Sequence, residues 1–142
     1  MIRDEDKGIF TSIHIVSRLD MGTSGLVIIA KNEYIAGIFS KIIKNNDILK
    51  KYICVCEGKL PRDGVINAPI GRKDGSIIER CIREDGKNAE THFKNICSKN
   101  NCSLAQVVLK TGRTHQIRVH MAHIGHPLVG DWLYGTGEES RH

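Results

Sequence analysis

The side chains best suited to chemistry fall in three stretches of this sequence. The first is S17-R-L-D-M-G-T-S-G25, where Arg18 and Asp20 stand just ahead of a Thr-Ser-Gly turn and an apolar run, L26-V-I-I-A30. An aspartate before a turn is most often an acceptor for backbone N–H groups. A carboxylate held at a strand end, over a core, is also where a nucleophile or general base can be fixed rigidly. If the segment is extended, Arg18 and Asp20 point to the same side. The second stretch is K50-K-Y-I-C-V-C-E-G58. Its Tyr52 reads either as a core residue with a hydrogen-bonded hydroxyl or as a ring on which a nucleobase stacks. The third is T111-G-R-T-H-Q-I-R-V-H-M-A-H-I-G-H-P-L-V-G-D131. There Arg118 is flanked by Ile117 and Val119, and a guanidinium in apolar surroundings needs a partner. Asp20 is a candidate because both residues lie on core-facing elements. A purely structural ion pair is the alternative.

His115, His120, His123 and His126 invite a metal reading, and His120 and His123 stand at i, i+3. The stretch contains no H-E-x-x-H and no neighbouring pair of thiolates, so no metal is expected. Nor does the chain contain G-x-x-x-x-G-K-[ST] or a strand-linked G-x-G-x-x-G, so no cofactor is expected. An enzyme built on these residues must work with side chains alone.

The elements that position them follow from periodicity. Thr11 to Val16 reads as a strand, and Gly25 to Ala30 as a short buried strand bounded by glycine. Asn32 is placed to cap a helix over Glu33 to Lys44, with Ile35, Phe39, Ile42 and Ile43 on one side and Asn45-Asn46-Asp47 ending it. Leu49 to Glu57 is a strand that puts Tyr52, Cys54 and Cys56 on one face and Lys51, Ile53 and Val55 on the other. Residues 58–79 are loop-rich, with short pairings expected around Val65-Ile66 and Ile77-Ile78. Asp85-Gly86 signals a hairpin between Cys81-Ile82-Arg83 and the strand Ala89 to Phe93. Asn100-Asn101 signals a second hairpin, leading into Ser103 to Lys110. Thr114 is placed to cap a helix from His115 to Ile124, which Gly125 would end. Meandering strands with few helices predict an α+β fold, a mostly antiparallel sheet with a few flanking helices.

A chain of 142 residues suits one domain, here taken as 1–142. Its formal net charge of +5 suits a polyanionic partner. The five cysteines are odd in number and form no C-x-x-C, which points to reduced cytosolic thiols. The N-terminus is charged and lacks an apolar signal core, and the longest apolar run is too short to span a bilayer. The expectation is a cytoplasmic monomer without membrane contact.

Taken in order, R18-L-D-M-G-T-S-G25, K50-K-Y-I-C-V-C-E-G58 and G112-R-T-H-Q-I-R-V-H-M-A-H-I-G-H-P-L-V-G-D131 resemble the RluA-type pseudouridine synthases. G86-K-N-A-E-T-H-F93 resembles that family's linking segment, so the likeness runs over about residues 13–135. The resemblance implies the pseudouridine synthase catalytic fold and an RNA-modifying isomerase. Such an enzyme converts uridine in structured rRNA or tRNA to pseudouridine without a cofactor. It implies that Asp20 is the catalytic aspartate, that Tyr52 stacks on the target base, and that Arg118 pairs with Asp20. Arg18, Arg113, His115, Gln116 and His120 are then expected to contact RNA. Ser17 stands where the family usually has His. The family's opening strands with Lys-Pro-x-Gly, its segment after the Gly-Asp-x-x-Tyr-Gly of residues 130–135, and any S4-like domain have no counterpart here. The chain is therefore expected to be a core of the catalytic domain, truncated at both ends. The alternatives are a catalytically impaired RNA-binding fragment of the same fold and a metal-dependent hydrolase built on the histidines.

Overall fold

The structure, a computed structural model, describes residues 12–45 and 47–136. Thr11, at the start of the first expected strand, and Asn46, in the expected helix stop, lie outside the described residues. The chain divides into two compact units, Met1–Ile48 and Leu49–His142.

In the first unit β1 (His14–Ile15) and β2 (Ile29–Ala30) pair antiparallel, His14 opposite Ala30 and Ile15 opposite Ile29. Val16 N continues the ladder by donating to Ile28 O at 2.9 Å. Ile28 N then donates to Ser17 Oγ at 2.8 Å, so a side chain stands in for the next strand carbonyl and the ladder stops. The chain leaves the pair there and reaches Arg18 and Asp20. A turn follows at once: Thr23 N donates to Asp20 O at 3.0 Å, with Gly22 at φ 80°. This is a type II turn, whose third position needs a positive φ and so favours glycine.

The expected buried strand from Gly25 to Ala30 is corrected. Regular pairing is confined to Ile29–Ala30, and Leu26 is 96% exposed. Gly25 sits at φ 150°, a conformation that breaks the pleat, and a two-stranded pair has little face under which to bury apolar side chains. Helix α1 (Glu33–Lys44) agrees with expectation. Asn32 is extended, and its side chain accepts from Ile35 N at 2.9 Å. Glu33 in the first turn, and Lys41 and Lys44 in the last, suit the helix dipole. Ile35, Phe39, Ile42 and Ile43 are half-buried, and the helix packs against β1 and β2.

The second unit holds β3 (Lys50–Glu57), β4 (Asp63–Asn67), β5 (Ile70–Arg72), β6 (Arg80–Ile82), β7 (Glu90–Lys99), β8 (Cys102–Leu109) and α2 (Gln116–His123). Four of these strands form an antiparallel sheet in the order β3-β8-β7-β4. Alternation decides its faces. Ser103, Ala105, Val107 and Leu109 of β8 are buried on one side, with Cys56 of β3 and Thr91 and Phe93 of β7. Met121 of α2 packs into the same cluster with Leu60, Ile66 and Ala68, and Tyr52 and Cys54 lean against it. Ile53 and Val55 face the other way and are exposed, as the period-two pattern requires. The second half of β3 is covered along its outer edge, where Glu57 N donates to Pro127 O and Val129 N to Val55 O.

The Asn100-Asn101 hairpin forms as expected, with both residues left-handed at φ 52° and 56°. Asp85-Gly86 also turns, since Gly86 N donates to Arg83 O at 2.9 Å, but it does not join the expected partners. β6 pairs with β5, and β7 pairs with β4 and β8. The turn instead brings Lys87 back to exchange two backbone hydrogen bonds with Ile70. A Cβ on Gly86 would lie 2.6 Å from the Ile70 carbonyl carbon, which explains the glycine. Ile77-Ile78 is not paired; it lies in the exposed connection between β5 and β6.

Helix α2 starts one residue later than expected, and Thr114 does not cap it. His115 occupies the cap at φ 57° without a side-chain cap bond. The entry is closed from inside the helix, because Gln116 Oε1 reaches back to accept from Arg113 N at 2.9 Å. The far end follows the sequence: Gly125, at φ 81°, donates to Ala122 O, and His126 N donates to Met121 O. This is a Schellman stop.

Candidate active site

Asp20 is half-buried and opens the type II turn just after the β1–β2 ladder ends; Arg18 is exposed beside it. The remaining expected site residues belong to the second unit. Tyr52 is half-buried on the core face of β3, against the main apolar cluster. Lys50 precedes it on that face, with its Nζ close to Gly112. Burial, and then the nearby Arg113 charge, push the Lys50 ammonium below its ordinary pKa.

Arg118 has a carboxylate partner that the sequence reading did not assign. Its Nε donates to Asp131 Oδ2 at 2.8 Å and its Nη2 to Oδ1 at 2.6 Å. Oδ1 also accepts from Leu133 N and Tyr134 N, at 3.0 and 3.1 Å. The pair is well buried, with side-chain exposures of 13% and 3%. Burial pushes the Asp131 carboxyl up, but the Arg118 hydrogen bond and the two amides outweigh it. The pKa therefore lies below the usual carboxylate range. The expected partner, Asp20, belongs to the other unit. A signal for Asp131 was present: it is the only acidic residue between Gly112 and Asp131 inclusive, and an arginine fork favours a bidentate carboxylate.

The same turn supplies Tyr134, also missed from sequence. The Arg118 guanidinium carbon lies 4.9 Å from the centre of its ring. The Tyr134 hydroxyl accepts from Arg80 N at 2.9 Å and bonds His115 Nδ1 at 2.8 Å, with the two rings edge to face. Burial raises the pKa of this phenol.

Gln116 and His120, expected to contact RNA, form part of the internal scaffold. Both are buried, and their polar atoms are engaged inside the fold. His120 Nε2 meets Ala68 O at 2.9 Å; a carbonyl can only accept, which assigns the proton to Nε2. Nδ1 then accepts from the Thr91 hydroxyl at 2.8 Å. Thr91 Oγ1 in turn accepts from Gln116 Nε2 at 3.0 Å, and the same Nε2 donates to Glu90 O. Gln116 Oε1 accepts from Thr111 Oγ1 and Arg113 N. This chain of bonds pins the loop 111–115 to β7. Arg113, half-buried, donates from Nε to Asn88 O at 2.8 Å. Among the described residues no group of three or more His, Cys, Asp or Glu is placed to hold a metal ion. No described helix is long and apolar enough to cross a membrane.

The second unit thus holds an arginine–carboxylate fork between α2 and the turn after it and a tyrosine on β3, and the first unit holds the Arg-Leu-Asp turn. The sequence profile of the RNA pseudouridylate synthase family matches residues 6–123, and the chain belongs to that family. Among its relatives is the uncharacterized RNA pseudouridine synthase YjbO of Bacillus subtilis, 44% identical over 90% of this chain and 46% of the relative. Another is the ribosomal large subunit pseudouridine synthase D of Nitrosomonas europaea, 40% identical over 85% of this chain and 35% of that protein. A solved structure, human RNA pseudouridylate synthase domain containing 1, superposes with a TM-score of 0.81 at 29% identity. It is matched by 97% of this chain and 62% of its own length. The RluA-type resemblance and the α+β fold are borne out. The chain spans less than half the length of these two curated relatives.

Proposed function

We propose that this chain carries the catalytic core of an RNA pseudouridine synthase that isomerises specific uridines in structured rRNA or tRNA, without a cofactor. The family match carries the reading, because it runs from residue 6 to residue 123 and so takes in Asp20, Tyr52, Arg113, His115 and Arg118. In the reaction the N1–C1′ bond breaks, the base rotates and C5 joins C1′. Cleaving a glycosidic bond calls for a nucleophile or a stabilised oxocarbenium, and the Asp20 carboxylate can supply either. Tyr52 stacks on the target base and assists loss of the C5 proton. Arg118 serves the reacting uridine, and Arg18, Arg113 and His115 contact the RNA. A uridine inside a helix must first leave the stack, at a cost of a few kcal/mol that basic side chains and stacking offset. We place the activity in the cytoplasm, in a monomer whose residues 1–142 act as one catalytic domain; the free cysteines suit that compartment.

Release of tritium from [5-³H]uridine-labelled RNA tests this, because only the isomerisation frees the C5 hydrogen. Wild type should release it, and the nearly isosteric Asp20→Asn should fall below detection. Appreciable turnover by Asp20→Asn would remove the aspartate from the mechanism. Tight RNA binding with no release by wild type would favour the second reading, an impaired RNA-binding fragment, which the chain's partial span of its relatives makes worth separating.

A further inference from the structure

We infer that Tyr134 is a positioning residue with two separable duties, its ring setting Arg118 and its hydroxyl setting His115. The inference rests on the proposed function, in which Arg118 serves the uridine and His115 touches RNA. Consider the ring first. The Asp131 fork fixes the guanidinium in its own plane through Nε and Nη2. A fork alone leaves the group able to tilt out of that plane. The Tyr134 ring, with the guanidinium carbon 4.9 Å from its centre, restrains that tilt. Because Asp131 Oδ1 also accepts from Tyr134 N, fork and ring belong to one turn and grip Arg118 from two directions.

The hydroxyl works on a different residue. His115 holds φ 57°, a left-handed conformation unfavourable for a residue with a Cβ, so its geometry must be held by its surroundings. The Tyr134 hydroxyl supplies part of that hold at 2.8 Å. Since the hydroxyl already accepts from Arg80 N, its own proton can go to His115 Nδ1. That bond fixes the orientation of the imidazole ring at the start of α2. Tyr134 thereby links β6, the start of α2 and the arginine fork.

The two duties separate by substitution in the full protein, assayed by tritium release. Tyr134→Phe keeps the ring and deletes the hydroxyl. It should raise KM for RNA about five- to tenfold, as loss of the part-buried bond to His115 does, with kcat falling less than about threefold. Tyr134→Leu deletes both and should lower kcat at least about tenfold further. Two NMR signals follow the clamp without activity. The Arg118 Nε–H resonance, shifted by the ring current, should persist in Tyr134→Phe and move in Tyr134→Leu. The His115 imidazole nitrogen shifts should change in Tyr134→Phe. If the Leu variant fails to fold, the Phe variant decides: a moved Arg118 signal or unmoved His115 signals would overturn the division. Equal loss of kcat in a folded Phe and Leu pair would also overturn it. Absence of tritium release by wild type would defeat the functional reading alone, since the NMR signals still report the clamp.

Discussion

Replacing Asp131 by Asn probes the arginine fork with almost no change of shape. Asp131 accepts four hydrogen bonds, three at Oδ1 and one at Oδ2. An asparagine can keep its oxygen at the Oδ1 position and hold Leu133 N, Tyr134 N and Arg118 Nη2. Its NH₂ must then occupy the Oδ2 position, where Arg118 Nε–H points, and two donors face each other. The guanidinium, 13% exposed, loses the carboxylate charge that its fork engages. Breaking a buried pair from one side costs about 3–5 kcal/mol. With three of the four bonds kept, we expect the lower end, about 3 kcal/mol, or ~10 °C in Tm for a chain of this size. An exposed ion pair would cost ~1 kcal/mol or less, so the measurement discriminates. Urea denaturation of wild type and variant gives the difference directly. Its pH dependence has a fixed sign. The Asp131 carboxyl sits lower in the folded chain than in the unfolded one, so its contribution is complete above the unfolded value of about 3.9. That contribution is lost as the pH falls through the folded value. The gap between wild type and Asp131→Asn should therefore be constant near neutrality and narrow below about pH 4. A variant as stable as wild type at pH 7, or a gap that widens in acid, would refute the account.

Thr91→Val is isosteric but leaves His120 Nδ1 and one Gln116 Nε2 bond without their partner. It should cost about 2–4 kcal/mol in chemical denaturation, and a loss under ~0.5 kcal/mol would show that the buried network does not hold the loop. Gly86→Ala puts a Cβ within 2.6–2.9 Å of three backbone atoms of Ile70, Arg83 and Gly71, none of which can swing aside. It should lower stability by at least ~2 kcal/mol, and an unchanged melting curve would contradict the packing of β5 against the turn.

Local signals in the sequence were read best. Asn32 ahead of an i, i+3, i+4 apolar pattern, the Asn100-Asn101 turn and the terminal Gly125 each act through their own neighbours, and each is found as expected. Errors arose where partners lie far apart in the chain. Asp85-Gly86 is a turn in either pairing, and only the Ile70–Lys87 bridge, formed across the hairpin, decides which strands it joins. The Gly25 to Ala30 run has the composition of a buried strand, but burial depends on how much sheet surrounds it. In the site, Arg118 announced its need for a carboxylate, and Asp131, the only acidic residue of its own stretch, supplies one. The internal bonds of Gln116 and His120 were not legible, because a polar side chain on a helix does not reveal whether a threonine on a distant strand will receive it. Ser17 departs from the family pattern, yet its hydroxyl takes up Ile28 N and helps end the ladder where Arg18 and Asp20 begin.

The saturation of Gln116 limits which residues the position can accept. Its oxygen takes two donors and its nitrogen serves two acceptors, from Thr111, Arg113, Glu90 and Thr91. Of the encoded side chains, only an amide offers two acceptor sites and two donors at once, and asparagine is one methylene too short to reach the same four atoms. Glutamate has the length but would turn a carboxylate oxygen toward the Glu90 carbonyl. Leucine or methionine would fill the space and strand every partner. Position 116 should therefore behave as a one-letter position in a saturation library selected for folding. Neighbouring Ile117, held only by apolar packing, should accept several hydrophobic residues.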